Sequence, residues 1–179
     1  MGPGSELASD IRLNTLLNES DRAKFQDAVM IRKILNTSKT IAIVGLSPNS
    51  ARASHFVGTY LASEGYRVIP VNPRATEIFG EKAYPDLLSI PFAIDLVDVF
   101  RNPDECVDVA KQAVQIRAKA FWLQLRVVNF DAARIAEAGG LQVVMDRCVK
   151  MEHGRYTGSL HWVGMNTELI SARRGQRYI

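Results

Sequence analysis

Residues 40–73 restrict the fold more than any other part of this 179-residue chain. Their pattern predicts a buried apolar strand over 41–44, a turn, a helix from about Ser54 and a second strand over 67–71. A strand, a helix and another strand within roughly 30 residues are typical of a βαβ unit, in which the two strands run parallel. The chain is therefore expected to form an α/β fold around a parallel sheet.

Strands and helices continue to alternate up to about residue 146. Several of these strands are continuous apolar runs, as expected where helices cover both faces of a parallel sheet. The pattern predicts a single doubly wound domain with an N-terminal helix and a C-terminal tail. Strands are expected over 95–100, 120–123 and 142–145, with a short edge strand within 80–84; helices are expected over 20–35, for one turn from Pro85, from Pro103 and over 131–138.

The chain divides into four segments. Residues 1–5 read as an expression scar, and residues 6–38 form an N-terminal helical segment. Residues 39–152 form the α/β domain, and residues 153–179 form a C-terminal extension. The predicted N-terminal helix carries an apolar face at helical spacing, made of Phe25, Val29, Ile31, Ile34 and Leu35.

Composition narrows the function classes. Hydrophobic residues make up 47% and charged residues 23%, which is typical of a globular domain, and no apolar run is long enough to span a bilayer. The net charge of +3, concentrated in Arg173, Arg174 and Arg177, is too small and too local to indicate nucleic-acid binding. Cys106 and Cys148 lie far apart without a CxxC motif, so free thiols are expected rather than a disulfide or a zinc site. Because no signal peptide is evident, a cytoplasmic location is expected.

Ligands of doubly wound sheets bind beyond the carboxyl ends of the strands, where the strand order reverses. After the first strand, Gly45 allows a sharp turn, and the hydroxyls of Ser47 and Ser54 can donate to a phosphate oxygen. Arg52 can neutralise a phosphate, and Ser54 also suits a helix N-cap. An ordinary βα loop with a capping serine explains the same residues, so spacing alone leaves both interpretations open.

Polar residues also follow three other strands. Asn72 can bond a ribose hydroxyl and Arg74 can meet a ribose phosphate, whereas the Asp or Glu of a typical NAD site is missing there. Arg101 is either a surface charge or a phosphate contact. The amide of Gln124 is expected to emerge at the ligand edge, while Trp122 is expected in the core.

Several motifs resemble a known family in their order and spacing. They are IAIVGLSP at 41–48, RASH at 52–55, GYRVIPVNP at 65–73, DVFRNP at 98–103, AKAFWLQ at 118–124 and VVMDRC at 143–148. From about residue 40 to residue 152 the chain looks like the small CoA-binding domain proteins. These are stand-alone relatives of the N-terminal CoA-binding domain of the succinyl-CoA synthetase alpha subunit. The resemblance implies a Rossmann-like domain that binds coenzyme A or an acyl-CoA.

The resemblance also implies a cofactor-binding set along one edge of the sheet. Its pyrophosphate part would be Gly45, Leu46, Ser47 and Ser54, assisted by Arg52; Val71, Asn72 and Pro73 would flank the adenosine; Phe100 and Arg101 would meet the nucleotide; and Gln124 would face the pantetheine. The chain departs from the family pattern at Leu125 and Arg126, where a glycine is frequent, and at Ala53, where proline is frequent. Residues 158–174 resemble an extension seen in one bacterial branch.

No residues indicate catalysis or a metal site. After the α/β domain the chain is too short for the histidine-bearing domain of the synthetases, and no Ser–His–Asp order or metal-ligand cluster stands out. His153 is expected to be solvated or structural, and His55 to be a loop residue near the phosphates. Cys148 is expected to be an inert thiol, with a mixed disulfide to the ligand thiol as the alternative.

The sequence therefore favours a CoA- or acyl-CoA-binding module without autonomous catalysis, acting as a carrier, sensor or regulator. One alternative is an NAD(P)-binding oxidoreductase, which would need a nicotinamide pocket. Another is a ligand-free interaction subunit that acts through the N-terminal helix and the tail. No nucleic acid or membrane partner is expected, and a homodimer or an unidentified enzyme partner is compatible with the sequence.

Overall fold

The computed structural model describes residues 15–157, and it confirms the α/β, Rossmann-like parallel sheet. Within those residues the main sheet has five strands, and a small hairpin forms a second sheet. The strands are β1 (Thr40–Val44), β2 (Arg67–Val71), β3 (Glu77–Ile78), β4 (Glu81–Lys82), β5 (Leu96–Val99), β6 (Ala120–Leu123) and β7 (Gln142–Val144). The helices are α1 (Glu19–Phe25), α2 (Ala28–Thr37), α3 (Ala53–Ser63), α4 (Cys106–Gln115), α5 (Phe130–Ala138) and α6 (Val149–Tyr156), with a 3₁₀ turn over Pro103–Glu105 before α4.

The five main strands are all parallel and lie in the order β2-β1-β5-β6-β7. The chain runs outward from β1 to β2 on one side and then returns to the other side of β1 with β5. The strand order therefore reverses between β1 and β5, where Val44 pairs with Val99. In open α/β sheets this reversal opens a crevice at the carboxyl ends of the strands, and ligands bind there.

Helices cover both faces of the sheet, which explains the continuous apolar runs in the strands. On one face Phe121 packs with residues of α4 and α5, including Ala110 and Ala133. On the other face Trp122 packs with residues of α2, α3 and α6. Burying each such large side chain contributes about 1.5–3 kcal/mol. Trp122 is fully buried, as predicted, and its indole Nε1 donates to the carbonyl of Arg147 at 2.7 Å.

The prediction of one N-terminal helix over 20–35 is wrong. Two helices form instead, because Asp27 caps a new helix by accepting a hydrogen bond from the backbone N–H of Met30 at 2.7 Å. The break sends Phe25 into the core beside α4 and α5, whereas the apolar residues of α2 pack on the opposite face of the sheet. Val29, predicted in the apolar face, is 73% exposed. A capping carboxylate thus overrides the apparent helical periodicity.

Smaller differences occur elsewhere along the chain. The predicted edge strand is a two-stranded hairpin, β3–β4, and residues 85–89 form bends and a turn instead of a helical turn from Pro85. The predicted boundary between residues 152 and 153 falls inside α6. The predicted scar and residues 158–174 of the tail lie outside the described residues. Within residues 15–157, no helix is both long and apolar enough to cross a membrane.

The end of α5 provides a test of core packing. A Cβ added at Gly139 would overlap both methyl groups of Val114, whereas a Cβ at Gly140 would meet nothing within 4 Å among the described residues but would stand at φ +85°. We expect Gly139→Ala to lower the free energy of unfolding by about 1–3 kcal/mol through overpacking. Gly140→Ala is expected to cost about 1 kcal/mol through backbone strain alone. Urea unfolding measures both.

The control is a double-mutant cycle with Val114→Ala. The smaller side chain removes the two overlapping methyl groups and leaves only the Cβ of residue 114, 3.0 Å away, so it is expected to reduce the cost of Gly139→Ala and leave the cost of Gly140→Ala unchanged. Equal costs in both backgrounds would show that overlap with Val114 is not the cause.

Candidate functional site

The turn after β1 passes directly under the loop that follows β5. Gly45 has φ +89°, and its N–H donates to the carbonyl of Val71 at 2.9 Å. A Cβ at this position would overlap the carbonyl oxygen of Phe100 and would lie 3.0 Å from Cδ of Arg101. Both the left-handed backbone and the close approach therefore require glycine. The predicted glycine turn lies at the point where the strand order reverses. The group that comes close to its backbone is the loop after β5.

The loop from Gly45 to α3 is held by its own side chains. Ser54 Oγ accepts a hydrogen bond from the N–H of Ser47, and Ser47 Oγ accepts one from the N–H of Asn49, both at 3.1 Å. The expectation that Ser54 is the helix N-cap is wrong, because Arg52 occupies that position and Ser54 lies within the first turn. Each serine oxygen already accepts a bond, so each hydroxyl still has its hydrogen to donate. The loop is preformed.

The N-terminus of α3 points toward the same reversal. Its N-cap, Arg52, is exposed and makes no capping hydrogen bond through its side chain to the described residues. The first-turn N–H groups and the helix dipole therefore favour an anion there. His55 Nδ1 lies 2.9 Å from the carbonyl of Ser47. Since a carbonyl only accepts, Nδ1 carries a hydrogen and donates it to this carbonyl. The prediction that His55 is a loop residue is wrong, because His55 lies in the first turn of α3, from which its ring bonds the preceding loop.

Most of the residues at the end of β2 that were predicted to contact a ligand make contacts within the chain instead. The side chain of Asn72 donates through Nδ2 to the carbonyl of Leu46 at 2.8 Å and accepts through Oδ1 from the N–H of Arg74 at 2.9 Å. Its amide therefore ties the two loops together. The side chains of Leu46 and Val71 are buried in the core, and Pro73 is exposed. Of the residues predicted to flank the adenosine, Pro73 alone offers an open side-chain surface.

Arg101 lies above Gly45 and is paired within its own loop. Its guanidinium forms an ion pair with Glu105, and its side chain is 39% exposed. Glu105 also accepts a hydrogen bond from the N–H of Asn102 at 3.2 Å. Phe100 is partly buried and packs against the core on the α3 side. Both predicted alternatives for Arg101 thus remain open: it is a partly exposed surface charge that also borders the reversal point.

The amide of Gln124 does not emerge at the ligand edge, contrary to prediction. Gln124 is 4% exposed, and its Nε2 donates to Oδ1 of Asp98 at 2.6 Å. Asp98 is fully buried on β5, and its other oxygen has no hydrogen-bond partner within the described part of the chain. Burial raises the pKa of Asp98 to about 7, although the Gln124 amide and the N–H of Val99 oppose the shift. A polar residue inside the apolar run 96–100 was the available signal.

The raised pKa makes stability depend on pH with a definite sign. Between about pH 4 and pH 7 the folded state keeps the Asp98 proton that the unfolded state has lost. The stability contribution of this group therefore falls by about 1.4 kcal/mol per pH unit across that window and is complete below it. We expect Asp98→Asn to become progressively more stable than wild type as the pH rises through the window, as measured by urea unfolding.

Asp95, which directly precedes β5, offers a matched control. Burial acts to raise its pKa, but bonds from the Lys119 side chain and from the N–H groups of Lys39 and Thr40 lower it overall. Its stability contribution is lost only as the pH falls below about 4. Asp95→Asn should therefore show no such trend between pH 4 and pH 7. A flat Asp98→Asn difference would contradict the assigned pKa.

Phe79 is a site-facing residue that sequence reasoning missed. It has φ +59° and is followed by Gly80 at φ +74°, so the two form the tight turn between β3 and β4. A phenylalanine in this left-handed region costs about 1 kcal/mol. The ring packs edge-on against His55, with centroids 4.6 Å apart, and is 38% exposed. The available signal was a Phe-Gly pair between two short β-type segments.

Two residues with sequence-based predictions, His153 and Cys148, lie in or at the start of α6. His153 is structural, because it is 5% exposed, its Nδ1 lies 2.9 Å from the hydroxyl of Tyr60, and burial lowers its pKa. Cys106 and Cys148 are both free thiols, as expected. Cys148 is partly buried at the start of α6, and burial raises its pKa, which disfavours the nucleophilic thiolate.

Taken together, the parallel sheet, its reversal between β1 and β5, and the glycine turn at that point define a Rossmann-like α/β domain. The family then follows from comparison with known sequences. Residues 39–154 match the family model described as a CoA binding domain, and the chain belongs to that family.

Several proteins are similar to this chain. The uncharacterized protein YneT of Bacillus subtilis (strain 168) is 41% identical over 123 residues, which are 69% of this chain and 91% of the relative. The structure of a hypothetical protein from Pyrococcus horikoshii OT3 shares 40% identity at a TM-score of 0.72, covering 74% of this chain and 93% of that chain. The ADP-forming acetate–CoA ligase I of Archaeoglobus fulgidus is 28% identical over 124 residues, which are 63% of this chain and 18% of the ligase. The similarity thus spans nearly all of the small relatives and a minor part of the ligase.

Proposed function

We propose that this protein binds coenzyme A or an acyl-CoA at the carboxyl edge of its sheet and acts as a carrier, sensor or regulator without autonomous catalysis. The observation that carries the proposal is the arrangement at the reversal point. Gly45, the uncapped start of α3 and the guanidinium-bearing Arg101 meet there. Membership of the CoA-binding domain family, and a ligase relative whose name includes CoA, support coenzyme A as the ligand.

The pyrophosphate fits the start of α3. There it would accept hydrogen bonds from first-turn N–H groups and from the hydroxyls of Ser47 and Ser54, each of which has a hydrogen to donate. Arg101 would add a charge-assisted contact from the β5 side, and the exposed Arg52 would approach from solvent. Phosphate oxygens are acceptors, so a site built of donors and cations is the matching chemistry.

The remainder of the ligand follows from the strand order. With pyrophosphate at β1, the adenosine would extend toward β2 and the exposed Pro73, where the aromatic ring of Phe79 is also open. The pantetheine would run the other way, past β5 to β6. Gln124 would line the path of the pantetheine but would not donate from Nε2 to it, because Nε2 is hydrogen-bonded to Asp98. Free thiols suit the predicted cytoplasmic setting.

The oxidoreductase alternative is less well supported. A typical NAD site needs a carboxylate after β2 for the ribose hydroxyls. Here Asn72 stands at that point, and both ends of its amide are occupied within the chain. Arg74 is exposed and suits a ribose phosphate, which NADP and coenzyme A both carry.

The test is isothermal titration with CoA, acetyl-CoA, NADPH and NADH. We expect specific binding of the CoA ligands and a loss of roughly tenfold in affinity for Arg101→Gln, because a charge-assisted contact to phosphate is removed. Glu105→Gln keeps the hydrogen bond to the N–H of Asn102 but removes the competing charge, so it should strengthen binding by about threefold.

Arg134→Gln is the matched control, because Arg134 is an exposed arginine of α5 that pairs with Asp131. It should bind CoA as wild type does. Preference for NADPH would make the oxidoreductase the better proposal. Failure to bind any of the four nucleotides, with capture of a defined protein partner, would favour the interaction subunit.

A further inference from the structure

Three charged side chains lie together beside the last strand of the sheet. Glu152 is 2% exposed, and its two carboxylate oxygens accept hydrogen bonds from Nη1 of Arg155 at 3.1 and 3.2 Å. Nε of Arg147 lies 3.9 Å from Glu152 Oε1, beyond hydrogen-bond distance. Two guanidinium groups therefore share one carboxylate. One positive charge in this cluster is left without a counter-charge from its own members.

The cluster also contains unused donors. The Nε atoms of Arg147 and Arg155 are both buried, and neither has a hydrogen-bond partner in the described chain. Buried donors are nearly always satisfied in folded proteins, and each exception calls for an explanation. An anionic acceptor beside Arg147 would supply the missing charge and a hydrogen-bond partner for that arginine, and a planar carboxylate matches the fork of a guanidinium.

The position of Arg147 connects this cluster with the sheet edge. Its N–H donates to the carbonyl of Leu123 at 3.4 Å, and Leu123 directly precedes Gln124 at the end of β6. The side chain of Arg147 is 22% exposed, whereas that of Arg155 is 9% exposed. Arg147 can therefore be reached from solvent. Arg155 is more deeply buried and is linked to Arg147 through Glu152, with which both arginines pair.

We propose that Arg147, backed by Arg155, binds a carboxylate at the far end of the acyl group, so that the preferred ligand is the CoA thioester of a dicarboxylic acid. This inference rests on the proposed function, because it takes the pantetheine to run from β1 past β6. The thiol end of the ligand then faces the end of β7, where Arg147 follows. The acyl part of a CoA thioester can carry a second, free carboxylate but carries no phosphate, so a carboxylate is the anion expected at this end of the ligand.

The experiment compares acyl-CoA pairs that have the same number of acyl carbons and differ in a terminal carboxylate. Malonyl-, succinyl- and glutaryl-CoA are titrated against propionyl-, butyryl- and valeryl-CoA. We expect at least one dicarboxylic thioester to bind tenfold or more tightly than its monocarboxylic partner. Arg147→Gln should abolish that preference while leaving the affinity for CoA itself unchanged, and Arg134→Gln should leave the preference intact.

Further measurements separate the outcomes. Arg147→Lys keeps the charge and loses the guanidinium fork, so a partial preference is expected, and its thermal unfolding shows whether the fold is retained. CoA binding without any dicarboxylic preference, or a preference that survives Arg147→Gln, would overturn the inference and leave the proposed function standing. Binding of free succinate or glutarate, without a preference among the thioesters, would overturn the assignment to an acyl chain. Failure to bind CoA itself would overturn both proposals.

Discussion

Gly45→Ala is expected to lower CoA affinity by more than about 100-fold and to lower the free energy of unfolding by about 2–4 kcal/mol. The added Cβ would stand at φ +89° and would overlap the carbonyl oxygen of Phe100, which belongs to the backbone and cannot rotate away. Either β1 or the loop after β5 must shift. Because Arg101 and the start of α3 flank this contact, the shift would separate the groups proposed to bind pyrophosphate. Isothermal titration and urea unfolding measure the two effects.

Gly65→Ala isolates the strain component of this prediction. Gly65 follows α3 at φ +93°, and a Cβ there would meet nothing within 4 Å in the described structure. This control is expected to cost about 1 kcal/mol and to leave CoA affinity unchanged. If the two variants lost the same stability and bound CoA equally well, close approach at Gly45 would have no part in the site.

Glu152→Ala is expected to destabilise the protein by about 3–5 kcal/mol. The substitution leaves the guanidinium of Arg155 buried without its bidentate carboxylate, and an uncompensated buried charge is far more costly than a lost surface contact. Asp131→Ala is the matched control, because Asp131 and Arg134 form an ion pair with the same spacing on the exposed face of α5. That loss should stay below about 1 kcal/mol.

A second substitution tests the physical cause. Adding Arg155→Met to Glu152→Ala removes the stranded charge and fills the space with an apolar side chain. The double variant should therefore recover part of the lost stability. If the double variant were less stable than Glu152→Ala alone, packing around Glu152 rather than charge would explain the loss. Thermal and urea unfolding of the four proteins provide the measurements.

The pattern of apolar and turn residues correctly predicted the elements whose formation depends mainly on residues close to them in the sequence. The strands predicted over 41–44 and 67–71 and the helix between them follow from apolar runs separated by turn residues, and the structure confirms them as β1, β2 and α3. The predicted end of the helix over 131–138 is confirmed as well, because α5 ends at Ala138. The break in the predicted helix 20–35 was missed because a capping residue such as Asp27, inside an apolar period, looks like an ordinary exposed position. The competition between capping and periodicity was decided by two packing faces that lie far apart in space.

The candidate site likewise has a part that could be predicted from the sequence and a part that could not. Gly45, Ser47 and Arg101 could be selected from sequence, because the carboxyl ends of parallel strands always meet at one edge of a sheet. The contacts made by side chains at this edge could not be predicted from the sequence. The bond between Gln124 and Asp98 joins residues on different strands, and it turned a predicted ligand-facing amide into a buried one. Asn72 was redirected similarly by Leu46.

The amino-acid pattern was sufficient to establish the parallel α/β architecture and to predict the edge of the sheet that we propose for ligand binding, because both depend on hydrophobic periodicity and strand connectivity. The tertiary structure alone established which polar groups at that edge are already occupied. It also brought together Arg147, Glu152 and Arg155 with one guanidinium in excess. Hydrogen bonding and ion pairing at ångström range depend on how the strands and helices pack against one another, and a linear sequence does not contain those distances.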